Sequence, residues 1–149
     1  MPELTRRRDP DAPQTTWLIN YDDVRVGTIA ERIGNPDRTP PWQWACGFYP
    51  GSHPRECTHG TAATFDDARA AFESAWRIFF ANRTEADFQQ WRDDRAFDAW
   101  KHAMWDAHCM LPTQVADGRS RCFCGAAMGI AEVATHIVEA HGRRMGWQR

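Results

Sequence analysis

Four residues near the carboxyl end constrain this chain more than any other feature. Cys122 and Cys124 stand one residue apart, and His136 and His141 follow with four residues between them. Two thiols and two imidazoles in one short stretch supply the four soft or borderline donors that a tetrahedral zinc ion takes. Gly125 follows the second cysteine, and a residue without a Cβ lets the backbone turn around a metal. Residues 132–140 are good helix formers, and Ile130, Val133, Ile137 and Val138 offer an apolar face to pack back on the cysteine turn. A unit this small cannot bury enough apolar surface alone, so a metal is expected to contribute much of its folding energy. One structural zinc ion is therefore the expected cofactor, with Cys122, Cys124, His136 and His141 as ligands. A closed set of four protein ligands leaves no open position for a substrate. Two other readings stand beside this one: thiols and surface histidines with no metal, and a Cys-x-Cys redox pair.

Residues 120–142 resemble the two-Cys, two-His zinc finger family. The resemblance puts the four metal ligands at Cys122, Cys124, His136 and His141, with Met128 and Val133 at the family's two core positions. Two spacings depart from the family's. Only one residue separates the cysteines, and eleven rather than twelve separate Cys124 from His136. The positions that read bases in the family fall on Gly129, Ala131, Glu132 and Thr135. None of these is Arg, Lys, Asn or Gln, the types that make bidentate contacts to base edges. Sequence-specific reading of DNA by this helix alone is therefore not expected. Beyond it lie Arg143, Arg144, Trp147 and Arg149, which offer cations for phosphates and a ring for stacking, or else a solvated terminus with Trp147 tucked onto the main domain.

The rest of the chain reads as an α+β body over residues 16–112. A strand at Thr16–Tyr21 alternates Trp17, Ile19 and Tyr21; Asp22 and Asp23 make a tight turn; and residues 24–33 return, with Gly27 as a candidate bulge. Residues 42–49 place Trp42, Trp44, Cys46 and Phe48 on one side, and residues 56–63 supply a fourth short strand. A three- or four-stranded antiparallel sheet over residues 16–63 follows from this. Thr64 caps a helix at 65–82 whose stripe of Ala68, Phe72, Ala75, Trp76, Phe79 and Phe80 faces the sheet. Thr84 caps a further helical segment at 85–109. There Phe88 and Trp91 sit together, while Phe97, Trp100, Met104 and His108 share another face, which predicts a bend or a break near Asp93-Asp94. Residues 1–15 read as a flexible arm, 113–120 as a linker, and 121–149 as the zinc finger with its basic tail.

The remaining features narrow the function. A net charge of −2 argues against non-specific coating of nucleic acid. No apolar run is long enough to span a bilayer, and no apolar segment follows Arg6, Arg7 and Arg8, so neither a membrane span nor a secretory signal is expected. The five cysteines form no secreted disulfide pattern, and a reduced, cytoplasmic protein is expected. Cys57 and His59, with His53 and Cys46 nearby, form a second cluster of metal-ligand types, although Cys46 lies on the apolar side of its strand. No phosphate-binding glycine loop, serine nucleophile motif or catalytic carboxylate pair is present.

The amino-terminal pattern runs from a Trp-led strand through Val26-Gly27-Thr28-Ile29, Trp42-x-Trp44 and Gly60-x-Ala62-x-Thr64-Phe65-Asp66-Asp67-Ala68. It is similar to small uncharacterised bacterial proteins, and in outline to DNA-binding sheets of the AP2 type. The reading that results is a non-enzymatic, zinc-containing binding protein, an adaptor or regulator acting on another protein. The alternatives are nucleic-acid binding through the finger, the tail and Arg6–Arg8, or inhibition of a nucleic-acid-handling partner by the acidic segment Glu85–Asp106. No small-molecule substrate is indicated.

Overall fold

The computed structural model describes residues 3–34, 39–49 and 52–142. The chain divides into two compact units, Met1–Trp91 and Arg92–Arg149. The division falls inside a helix, not at the linker 113–120 expected from sequence.

The first unit is an antiparallel meander of five strands in sequence order: β1 (Leu4–Arg8), β2 (Thr16–Tyr21), β3 (Val24–Glu31), β4 (Trp42–Cys46) and β5 (Thr58–Ala62). Helix α1 (Phe65–Ala81) packs across β3, β4 and β5. The class is α+β, as expected, with one strand more than the sequence indicates. The added strand comes from the segment read as a flexible arm, and that reading is corrected. Leu4–Arg8 pairs with β2 in the register Arg6↔Ile19, and Leu4 packs against the core. Three arginines in a row mask the strand in the sequence. They are tolerated because β1 is an edge, where charged side chains reach water and discourage pairing with other chains. Arg6 also lays its guanidinium over the rings of Trp17 and Phe65, at 4.8 and 4.9 Å.

Asp22 takes a left-handed φ of 53° in the turn that joins β2 to β3, a conformation Asp tolerates better than most residues. The register then slips opposite Ile19 and Asn20, leaving Val26 as the extra residue. Gly27, the residue read as the bulge, serves another purpose. A Cβ there would lie 2.1 Å from the Ala45 carbonyl oxygen and 2.5 Å from the Phe72 ring, so glycine lets α1 settle onto the sheet. On α1, Ala68, Phe72, Trp76 and Phe79 are buried. Thr64 Oγ1 caps the helix by accepting from the Asp67 N–H at 3.1 Å.

Helix α2 (Glu85–Asp106) is one element, without the break expected near Asp93-Asp94. Thr84 and Asp87 cap it reciprocally: the Thr84 N–H donates to Asp87 Oδ2 at 2.7 Å and the Asp87 N–H to Thr84 Oγ1 at 3.4 Å. The change of apolar face follows from the two cores that the helix serves. Phe88 and Trp91 pack into the core of the first unit, whereas Ala96, Trp100 and Met104 pack into that of the second. At the far end His108 adopts a φ of 58°, and the Cys109 N–H donates back to the Met104 carbonyl at 2.8 Å, closing the helix.

The rest of the second unit is a hairpin of β6 (Arg119–Arg121) and β7 (Ala127–Gly129), followed by α3 (Val133–His136), whose backbone widens into a π-turn over Ile137–His141. Its core joins Ala96, Trp100 and Met104 of α2 to Cys122, Met128, Val133 and Ile137. Met128 and Val133 thus occupy core positions. Ile130 and Val138, expected on the packed face, are 57% and 61% exposed. Val133 and Ile137 are four residues apart and share a helix face. Val138 is turned away from that face, and Ile130 precedes the helix.

Candidate metal centre

Two local structures bring the four sequence-identified donors together. The first is the turn between β6 and β7. The Cys122 N–H donates to the Ala126 carbonyl and the Gly125 N–H to the Cys122 carbonyl, both at 2.8 Å. Gly125 has a φ of 95°, in the left-handed region that favours glycine. Arg121 Nη1 donates to the Gly125 carbonyl at 3.1 Å and braces the turn from outside. A hairpin therefore closes even with one residue between the cysteines.

The second is the widened helix. Residues five apart in an α-helix point about 140° away from each other, since 3.6 residues make a turn. His136 and His141 are five apart and could not serve one ion from a regular α-helix. The π-turn, with its i→i+5 hydrogen-bond pattern, brings such residues nearly over one another. Their Nε2 atoms lie 3.2 Å apart, with the rings at 75°. The Gly129 N–H donates to Glu132 Oε2 at 2.9 Å and fixes the entry to this segment.

At the centre, Cys122 Sγ lies 3.4 Å from His141 Nε2, and Cys124 Sγ lies 3.5 Å from His136 Nε2. One donor atom from each of the four residues falls within 4.8 Å of all the others, and the cluster could hold a metal ion. The two sulfurs sit in unlike surroundings. Cys124 is exposed and Cys122 is buried. Burial pushes the Cys122 thiol pKa up, while hydrogen bonds from the backbone at Cys124 and from Trp100 pull against it. Phe123 covers the His141 ring, with centroids 4.8 Å apart.

Sequence reasoning missed Trp100. It reads there as one more member of an apolar stripe, but its indole N–H donates to Cys122 Sγ at 3.3 Å. The available signal is a general one: a buried tryptophan needs an acceptor for its N–H. Nothing in the sequence says which acceptor.

Among the described residues, no other group of His, Cys, Asp and Glu converges in this way. In the second cluster, Cys46 is buried and its thiol is pushed up to about 12, chiefly by burial and then by Cys57. It behaves as a core thiol. Cys57 is half-buried near the Ser52 hydroxyl at 4.0 Å, and His59 points out from β5. Arg143, Arg144, Trp147 and Arg149 lie outside the described residues. No helix among the described residues is long and apolar enough to cross a membrane. The chain matches no known protein family, and comparison with curated proteins and with solved structures finds no significant similarity.

Proposed function

We propose that this chain is a non-enzymatic binding protein of the adaptor or regulator kind, whose second unit is built around one structural zinc ion. One observation carries the zinc reading: the spacing of the donors. A tetrahedral ion with Zn–S bonds near 2.3 Å and Zn–N bonds near 2.05 Å sets S···N separations of about 3.6 Å and an N···N separation of about 3.3 Å. The three separations in the structure, 3.4, 3.5 and 3.2 Å, sit close to these. Sulfur and imidazole donors favour zinc over magnesium or calcium, which take oxygen. With all four positions filled by protein, the ion has a structural role.

Contact with another protein is the favoured mode of action. Trp105 at the end of α2 is 78% exposed, and Ile130 and Val138 project from the finger. Large apolar side chains in water are the ordinary raw material of a protein interface. Base reading is disfavoured because Glu132, one of the positions that would face DNA, is an acid engaged in capping its own segment.

Elemental analysis of the purified full chain is expected to find one zinc per chain, and Cys122→Ser or His136→Ala to abolish it. Less than about a tenth of an equivalent in the unaltered chain would sink the zinc reading. For the partner, a complex that survives nuclease treatment and weakens on Trp105→Ala supports the adaptor role. A salt-sensitive gel shift lost on Arg143→Ala/Arg144→Ala would replace it with nucleic-acid binding.

A further inference from the structure

We infer that the second half of α2 belongs to the metal centre itself, with the Trp100 indole N–H positioning the Cys122 sulfur and tuning its electron density. This rests on the zinc reading above and adds a residue that lies outside the finger by sequence, 22 positions before the cysteine it serves.

Trp100 is 1% exposed and Cys122 is 2% exposed, so water cannot reach either the donor or the acceptor. A buried N–H without an acceptor is costly, and the indole nitrogen can only donate. Its bond goes to Cys122 Sγ. A neutral thiol is a weak acceptor, whereas a metal-bound thiolate carries negative charge and accepts strongly. The bond therefore gains most when Cys122 ligates an ion, and metal binding and the seating of α2 reinforce each other. Ala96 and Met104 flank Trp100 along α2 in the same core as Met128, Val133 and Ile137, which holds the indole at its place.

The two sulfurs are thereby made unequal. Cys124 is exposed and can take hydrogen bonds from water, while Cys122 has a fixed indole donor in a dry setting. Donors of this kind, one shell out from a metal, orient the ligand and commonly change metal affinity by about 10–100-fold when removed.

Cobalt(II) is the probe, because its thiolate-to-metal charge-transfer band reports electron density on the sulfur. The full chain is titrated with cobalt as wild type, as Trp100→Phe and as Met104→Leu. Trp100→Phe keeps an aromatic ring and loses the N–H. It is expected to weaken cobalt binding by about tenfold or more and to move the charge-transfer band to longer wavelength, since an undonated thiolate gives up its electrons more easily. Met104→Leu disturbs the same core, keeps the Trp100 N–H and is expected to leave the band where it is. A Trp100→Phe chain with wild-type affinity and an unmoved band overturns the role of Trp100 and leaves the zinc reading standing. A wild-type chain that binds no cobalt overturns both. If Trp100→Phe does not fold, the wild type loaded with a spin-active cadmium isotope decides. The Trp100 indole proton is expected to be split by the metal across the N–H···S–Cd path, and an unsplit resonance rejects the proposal.

Discussion

At the scale of single residues, the first unit depends on one charged contact whose effect on stability can be read against pH. Arg83, two residues past the end of α1, has a side chain only 4% exposed; Nη2 lies 2.7 Å from Glu56 Oε2, and its guanidinium rests over Phe79 at 4.7 Å. The Glu56 carboxylate also accepts from the His53 N–H at 2.8 Å. That backbone bond first, and the Arg83 pair after it, hold the Glu56 pKa below its ordinary 4.5. A carboxylate with a depressed folded-state pKa stabilises the fold above its unfolded value. That contribution fades as the pH drops through the folded value. Glu56→Gln is therefore expected to lower the urea midpoint of unfolding at pH 7, with Arg83 left beside a neutral amide. The gap to wild type should narrow as the pH falls below about 4.5 and through the lower folded value. A gap that stays constant down to pH 3 would mean that Glu56 carries no charge-dependent share of the stability.

At the scale of elements, the sequence is legible wherever a local rule has a single solution. Thr64 and Thr84 announce their helices because a hydroxyl three residues before an acid satisfies orphan N–H groups. The alternation of Trp42, Trp44 and Cys46 marks β4, with all three side chains in or against the first core. The four metal donors are legible because their chemical types are rare in combination. Three features are hidden for identifiable reasons. Arg6–Arg8 conceals β1, since pattern rules look for apolar alternation and an edge strand need not show it. The continuity of α2 is hidden because Phe88 and Trp100 serve different cores, so its apolar stripe changes face within one helix. The π-turn is hidden because its only sign is a histidine spacing out of step with an α-helix. That last feature can be tested by changing the spacing. Deleting exposed Glu139 leaves the histidines four apart, which a regular α-helix places on one face. Cobalt affinity is expected to stay within about tenfold of wild type, with the wide turn removed. Inserting an alanine after Glu139 puts them six apart, which neither geometry aligns, and binding should be lost. If the deletion also abolishes binding, the wide turn does more than correct the spacing.

At the scale of the molecule, the two units differ in what holds them. The first has a sheet-and-helix core in which Val24, Val26, Ile29, Phe72 and Trp76 are almost fully buried and aromatic rings meet edge to face, as Phe48 and Phe79 do at 5.2 Å. The second has a short hairpin, a helix of one turn with its widened continuation, and half of α2. Structural zinc in small units contributes roughly 10–16 kcal/mol to folding at neutral pH, whereas a whole domain is stable by only about 5–15 kcal/mol. If the second unit holds such an ion, losing it would exceed what the small second core can make up, while the first unit has a core of its own. Chelation of the full chain is expected to open the second unit alone. Proteolysis should then cut at many points between residues 92 and 142 and spare a fragment covering most of residues 3–91. The far-ultraviolet helical signal should fall in part, because α1 survives and the second half of α2 loses the partners of Trp100 and Met104. The same pattern should follow Cys122→Ser without any chelator, and re-addition of zinc should restore protection to the wild type but not to the variant. Equal protection before and after chelation would show that hairpin, helix and α2 hold together without an ion. A collapse of both units would show that the first core leans on the second.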